Sequence, residues 1–249
     1  MIEVIVFLAL LFLVFVFFYK QSSSEFNILQ IEASNLSTLS ELLEESSPIV
    51  IRGLGPPTLL TPETLRTNSR IQTFPVSDGI SLSKWLDAPP SQILATESQE
   101  IREQFAEEVG VSMWANHTWF SALTESSWVP FIQSLESQVF LGSMGMQKTT
   151  ALQTLIYPTS GTFTCSLALG TATKFLPENW QGRFLADLHP SDSPLLHEIE
   201  FLDIILRPGT VLIVPPHWIL SMKSNKDTHP IFAYIELQNP ISKLATLIG

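Results

Sequence analysis

The 249-residue chain holds one cysteine, Cys165, so no internal disulfide can form, and no Cys-x-x-Cys or Cys/His pair at zinc spacing occurs. Set within the apolar run "TFTCSLAL", that thiol reads as a small core residue. Basic residues are scarce: 13 Lys and Arg stand against 24 Asp and Glu, a net charge of -11. A phosphate backbone needs a basic face, which argues against nucleic acid as a partner. There is no glycine-rich phosphate loop, no Gly-x-Ser-x-Gly elbow and no internal repeat, so nucleotide cradles, serine hydrolases and solenoids lose their usual frames. Charged residues make up 15% of the chain and hydrophobic ones 45%, enough for a sizeable core and too apolar for wholesale disorder. The length fits one domain with an appendage.

That appendage is at the amino terminus. Between Glu3 and Lys20 runs "VIVFLALLFLVFVFFY", uncharged and apolar on all sides. As a helix rising about 1.5 Å per residue it reaches roughly 24 Å, a short span that Ile2 and a snorkelling Lys20 would complete. A cleaved signal peptide would need a basic leader, and Glu3 stands there instead. The expectation is a transmembrane anchor over residues 1–20, a linker over 21–27 and a domain over 28–249 held at a membrane by a single pass, with the side of the membrane open.

Within the domain, residues 28–138 read as helical and irregular: a strand, a helix over 37–45, a strand over 49–52, a helical turn at "SLSKWLD" and a solvated helix over 97–109. Residues 139–240 change character to short β-rich runs broken by Gly and Pro: "VFLG", "TALQTLIYP", "GTFTCSLALG", "TKFL", "EIEFLDIILRPG", "TVLIVPP", "WILSMK" and "PIFAYIEL". Such a series predicts a β-sandwich or jelly roll.

At "RPGTVLIVPPHW" the chain resembles the JmjC and cupin-like branch of the iron and 2-oxoglutarate oxygenases. Pro208, Gly209 and Thr210 resemble that family's turn, Val211 to Val214 its strand, and Pro215, Pro216 and Trp218 the end of its motif. "VFLGSMGMQKTTALQTL" resembles its strand-turn-strand with the first two ligands, and "PIVIRGL" its opening strand. The resemblance implies a mainly β fold with flanking helices (α+β), a double-stranded β-helix or cupin jelly roll, preceded by one transmembrane helix. It also implies Fe(II) and 2-oxoglutarate as cofactors, bound through a His-x-Asp pair and a distal histidine.

Aligned on that pattern, the ligand positions fall on Gln153, Leu155 and Leu220, and all three ligands are replaced. Independently of alignment, none of the histidines, His117, His189, His197, His217 and His229, is followed two residues later by Asp or Glu. The expectation is therefore a degenerate metal site with no cofactor, where Leu155 and Leu220 fill the former pocket with hydrocarbon. His217 and Trp218 would stand at the pocket mouth, though His217, three residues before Leu220, would face the other side of a strand. The cluster "HPSDSPLLHE" has ligand types but reads as a loop. Trp114, Trp119, Trp128 and Trp180 line either a groove or a core.

Three functions follow as expectations: a non-catalytic, membrane-anchored binding or scaffolding module with a protein or glycan partner; a 2-oxoglutarate-dependent hydroxylase with unusual ligands such as Gln153 and His217; or a structural component of an envelope or membrane assembly.

Overall fold

The computed structural model describes residues 2–21, 27–55, 57–77, 79–88, 98–125, 132–189, 191–225 and 229–248. An apolar helix, α1 (Ile2–Gln21), comes first, followed by β1 (Leu29–Glu32), α2 (Leu39–Leu43) and β2 (Ile49–Arg52). Next come α3 (Pro62–Thr67), the short β3 (Pro75–Ser77) and β4 (Ile80–Ser81), α4 (Leu82–Asp87), α5 (Gln99–Glu108) and α6 (Val111–Thr124). The strand-rich part holds β5 (Ser134–Leu141), β6 (Met144–Lys148), β7 (Gln153–Ser160), β8 (Phe163–Leu169), β9 (Phe201–Leu206), β10 (Thr210–Val214), β11 (Trp218–Ser224) and β12 (Ile231–Gln238). A last helix, α7 (Pro240–Ile248), closes the described chain. The protein is a mixed α and β chain in which mostly antiparallel sheet forms the body.

Local chemistry marks the boundaries. Thr61 accepts the Thr64 N–H and Pro62 occupies the first turn of α3, where its missing donor costs nothing. Gly209, at φ +93°, turns β9 into β10, and the Thr210 hydroxyl donates back to the Arg207 carbonyl at 2.6 Å.

Two sheets carry the body. One has the order β1-β2-β10-β7-β12-β5, the other β6-β11-β8-β9. From β5 to β12 the pairing is nested: β5 pairs with β12, β6 with β11, β7 with β10 and β8 with β9, all antiparallel. Side chains from both sheets meet in one inner core, including Ile156, Leu212 and Phe232 from the larger sheet and Cys165, Leu167, Trp218 and Leu220 from the smaller. Cys165 is fully buried there, and burial raises its thiol pKa well above the ordinary value.

The outer face of the larger sheet is covered by α2 to α6, which bring Leu39, Leu65, Trp85, Phe105 and Trp119 onto Leu155, Tyr157 and Ile235. The outer face of the smaller sheet lies under 3-10 segments between β8 and β9, where Phe175, Trp180 and Leu196 pack on Met146 and Ile219. Gly145 lets this layer close: a Cβ there would stand 2.0 Å from the Gly182 carbonyl oxygen. Both faces of the larger sheet are thus dry over most of their area. Strand periodicity alone cannot distinguish these faces.

The helix α1 is different. Its described side chains run from Glu3 to Tyr19, and most are exposed, with Phe7 and Phe18 at 65%. Only near its end does it meet the body, where Val16 is 3% exposed and the helix packs on α7. Among the described residues no helix is both long and apolar enough to cross a membrane. The expected linker lies largely outside the described residues, at 22–26. What the structure adds is that the helix end is docked on the domain rather than held away from it.

Candidate functional site

The three positions expected to replace metal ligands do not converge. Leu220 points inward and is fully buried, paired with Gln147 on one side and Leu167 on the other. Leu155 is also fully buried, but in the helix-covered core on the opposite face of the larger sheet. Gln153 shares the face of Leu155, two residues away along β7. The expectation that Leu155 and Leu220 fill one pocket is corrected by this register: the inward residues of that stretch are Thr154 and Ile156.

His217 and Trp218 also separate. Trp218 is buried inside the sandwich rather than standing at a pocket mouth. His217 sits in the preceding turn, not in a strand, at φ +67°. Thr149, itself fully buried, secures this turn. Its hydroxyl donates to the Pro215 carbonyl at 2.8 Å and accepts the Trp218 N–H at 3.0 Å, while its carbonyl accepts the His217 N–H at 2.8 Å. The His217 ring faces α1: Nε2–H donates to the Tyr19 carbonyl at 2.7 Å, and the two rings meet edge-on at 5.3 Å. The Tyr19 hydroxyl donates to the Thr150 carbonyl at 2.9 Å. "PPHW" is therefore the landing point of α1.

Each of these contacts contributes about 1 kcal/mol, the usual net value of a hydrogen bond. Tyr19→Phe and His217→Ala are accordingly expected to speed amide hydrogen exchange in the last turn of α1 several-fold. The urea midpoint of the β-sandwich should stay nearly constant. Equal exchange in wild type and both variants would show that these contacts do not hold the helix.

The inner wall is not apolar throughout. At one end of the sandwich, between β5, β6, β12, α5 and α7, lies a cavity of about 470 Å³ lined by Arg102, Gln138, Gln147, Lys148, Tyr234 and Glu236, among others. Gln138 pairs with Tyr234, and Glu136 with Glu236, across β5 and β12. Arg102 reaches round the β5 edge from α5, donating through Nε to Gln138 Oε1 at 3.0 Å and lying 4.4 Å over the Phe140 ring. Burial lowers its pKa, opposed by the Glu103 charge. From α7, the Ser242 hydroxyl donates to Gln238 Oε1 at 2.8 Å.

Burial raises the Glu236 carboxyl to about 7, opposed by a hydrogen bond from Gln238 and assisted by the charge of Glu136. The Tyr234 hydroxyl, 3.4 Å from Glu236 Oε1, is pushed well above its ordinary range, chiefly by burial and then by the Glu236 charge. Thr154, across from Glu236 on β7, is fully buried, and its hydroxyl and the Gln147 side chain both act on the Tyr234 hydroxyl.

None of these polar residues is singled out in the sequence reading, although one signal was there to be used. Glu236, a carboxylate inside the apolar run "FAYIEL", was the one legible signal.

Iron of the oxygenase class takes two imidazoles and a carboxylate on one face. The wall around Leu220 offers an amide, a hydroxyl and Glu236, and the nearby imidazole of His217 is turned to α1. Among the described residues no group of three or more His, Cys, Asp or Glu side chains converges. This donor set does not fit that iron centre, and Gln153 and His217 are not brought together as a substitute.

In the "HPSDSPLLHE" cluster, Asp192 instead accepts the His189 N–H at 2.8 Å and pairs with Arg183 at 2.9 Å, which together lower its pKa. Trp114 stands edge-on to Tyr157, Trp119 is buried and Trp180 packs in the outer layer, so these three are packing residues. Trp128 lies outside the described residues. No protein-family model matches the chain, and no curated protein matches it.

Proposed function

We propose that the chain is a membrane-anchored jelly-roll protein of the cupin-like, JmjC-like type that works as a binding module and not as an iron oxygenase. The nested pairing of β5 to β12 supports the jelly roll, because rolling up one long hairpin pairs first strand with last, second with second-last, and so on inward. The apolar, exposed α1 supports the anchor. The observation that carries the functional reading is the inner wall itself. Where the resemblance implies a metal, Leu220 faces Gln147 in a packed core, while the adjoining end of the sandwich stays open, polar and large enough for a small ligand.

Jelly-roll stability comes from the packed inner faces of the sheets, so the fold outlives the loss of ligands. The cavity then binds through hydrogen bonds and charge: Arg102 and Lys148 supply positive charge, and Gln138, Gln147, Tyr234 and Glu236 supply donors and acceptors.

The test is metal content and 2-oxoglutarate affinity of the full chain in detergent, prepared without oxygen and with ferrous iron supplied. The expected result is substoichiometric iron and no cosubstrate binding. Stoichiometric iron with 2-oxoglutarate bound would overturn the reading in favour of the hydroxylase.

A further inference from the structure

The polar cavity and the apolar helix meet at one place. The Tyr19 hydroxyl of α1 bonds the carbonyl of Thr150, and Thr150 lines the cavity. On the other side α7 packs against α1 and places Lys243 in the cavity wall. Phe15, Phe17 and Phe18, exposed by 54%, 58% and 65%, carry the apolar surface of α1 down to within about one helical turn of Tyr19. If α1 enters a bilayer, its Tyr19 end falls at the headgroup layer, the level that tyrosine favours. The cavity rim falls at that level too.

Charge in the cavity runs against that of the whole protein. The net charge is -11, yet this wall sets Arg102, Lys148 and Lys243, three of 13 basic residues, against only Glu136 and Glu236. Lys243 and Glu136 form an ion pair at the rim. Arg102, held by Gln138 and Phe140 and beside the Glu103 charge, and the exposed Lys148 are the cations on which a phosphate would compete with the protein's own partners. Gln138 Oε1 and Gln238 Oε1 already accept from Arg102 and Ser242, so the acceptors this wall offers a ligand are the Glu236 carboxylate oxygens. They favour a substituent that donates hydrogen bonds over one that cannot. The volume of about 470 Å³ suits a headgroup and excludes its acyl chains.

We infer that this cavity holds the headgroup of a phospholipid from the membrane that receives α1, with the phosphate on Arg102 and Lys148 and an amine or hydroxyl on the acceptors beyond. The inference rests on the anchor reading above and supplies its ligand class. It makes α1 a device that brings the site to its ligand, since the lipid chains would stay in the bilayer beside the helix.

The test uses the full chain in micelles of a maltoside detergent, titrated with dihexanoyl-phosphatidylethanolamine, the matching phosphatidylcholine and free phosphoethanolamine. In parallel, its flotation with phosphatidylcholine vesicles is measured. The ethanolamine lipid is expected to bind at least 10-fold more tightly than the choline lipid, and Arg102→Gln and Lys148→Gln to weaken it at least 10-fold. Lys148 is exposed, so its variant should keep the wild-type thermal midpoint and should float as wild type does. Equal affinity for the two lipids, or wild-type affinity in Lys148→Gln, would overturn the headgroup site while intact flotation left the anchor standing. Wild-type protein that fails to float would overturn the anchor. Free phosphoethanolamine bound as tightly as the lipid, without flotation, would assign the cavity to a soluble phosphate ester and overturn the lipid source.

Discussion

Replacing Trp218 by alanine is expected to lower folding stability by about 3–5 kcal/mol, the usual cost of removing a large aromatic from a core. The indole is fully buried between the two sheets, in the same cluster as Leu220, Leu167 and Val214. It is also the first residue of β11, and its N–H is secured by the Thr149 hydroxyl, so the surrounding backbone has little freedom to collapse into the space left. Trp218→Phe keeps a ring in that space and should cost about 1–2 kcal/mol. Urea unfolding in detergent would measure both as midpoint shifts at constant slope. If alanine were tolerated within about 1 kcal/mol, the inner core would be loosely packed at this end and the apolar replacement of a metal pocket would lose its basis.

The second large effect is a pH dependence centred on Glu236. Its folded pKa of about 7 lies above the ordinary 4.5, chiefly because burial disfavours the carboxylate. Between those two values the folded state binds more protons than the unfolded state, so stability must fall as pH rises. The loss begins near pH 4.5, is complete slightly above pH 7 and amounts to on the order of 3 kcal/mol. Glu236→Gln keeps the shape and removes the charge. It should flatten that slope and make the protein more stable than wild type at pH 8, though not at pH 4. Urea midpoints taken from pH 4 to pH 8 decide it, and parallel slopes in the two proteins would show that Glu236 is well solvated when folded.

Much of the strand pattern is legible because β-branched and aromatic runs stand between Gly and Pro. "TVLIVPP", "WILSMK" and "PIFAYIEL" become β10, β11 and β12 nearly as read. "TKFL" does not: it belongs to the 3-10 segment Gly170–Phe175 that lies over the smaller sheet. The small β3–β4 pair is not legible in the sequence, and of the strands in the two body sheets the one hidden is β6, in "MGMQK", where a glycine and two polar residues lack strand character. Pairing with β11 and the close approach of Gly182 make it a strand, and both are tertiary causes. The same limit displaced the site. Gln153 and Leu155 alternate correctly, but alternation specifies two faces without saying which looks into the sandwich, and here both are covered. The cavity was harder to see, since each strand or helix around it contributes only one or a few polar residues. In a strand such as "SLESQVFL", Glu136 and Gln138 have the spacing of an ordinary solvent-facing row.

The docking of α1 has a consequence for synthesis. Tyr19 lands on Thr150, on His217 and beside α7, and His217 follows it by 198 residues. At about 5–20 residues per second, a ribosome needs roughly 10–40 seconds to make that distance. For that interval an exposed run of phenylalanine, leucine and valine has left the exit tunnel before its seat exists. The nested pairing lengthens the wait, because β5 lacks its neighbour until β12 emerges. The apolar surface of a newly made α1 is therefore exposed before its seat exists, and its last turn can dock only after Thr150, His217 and α7 have all been made.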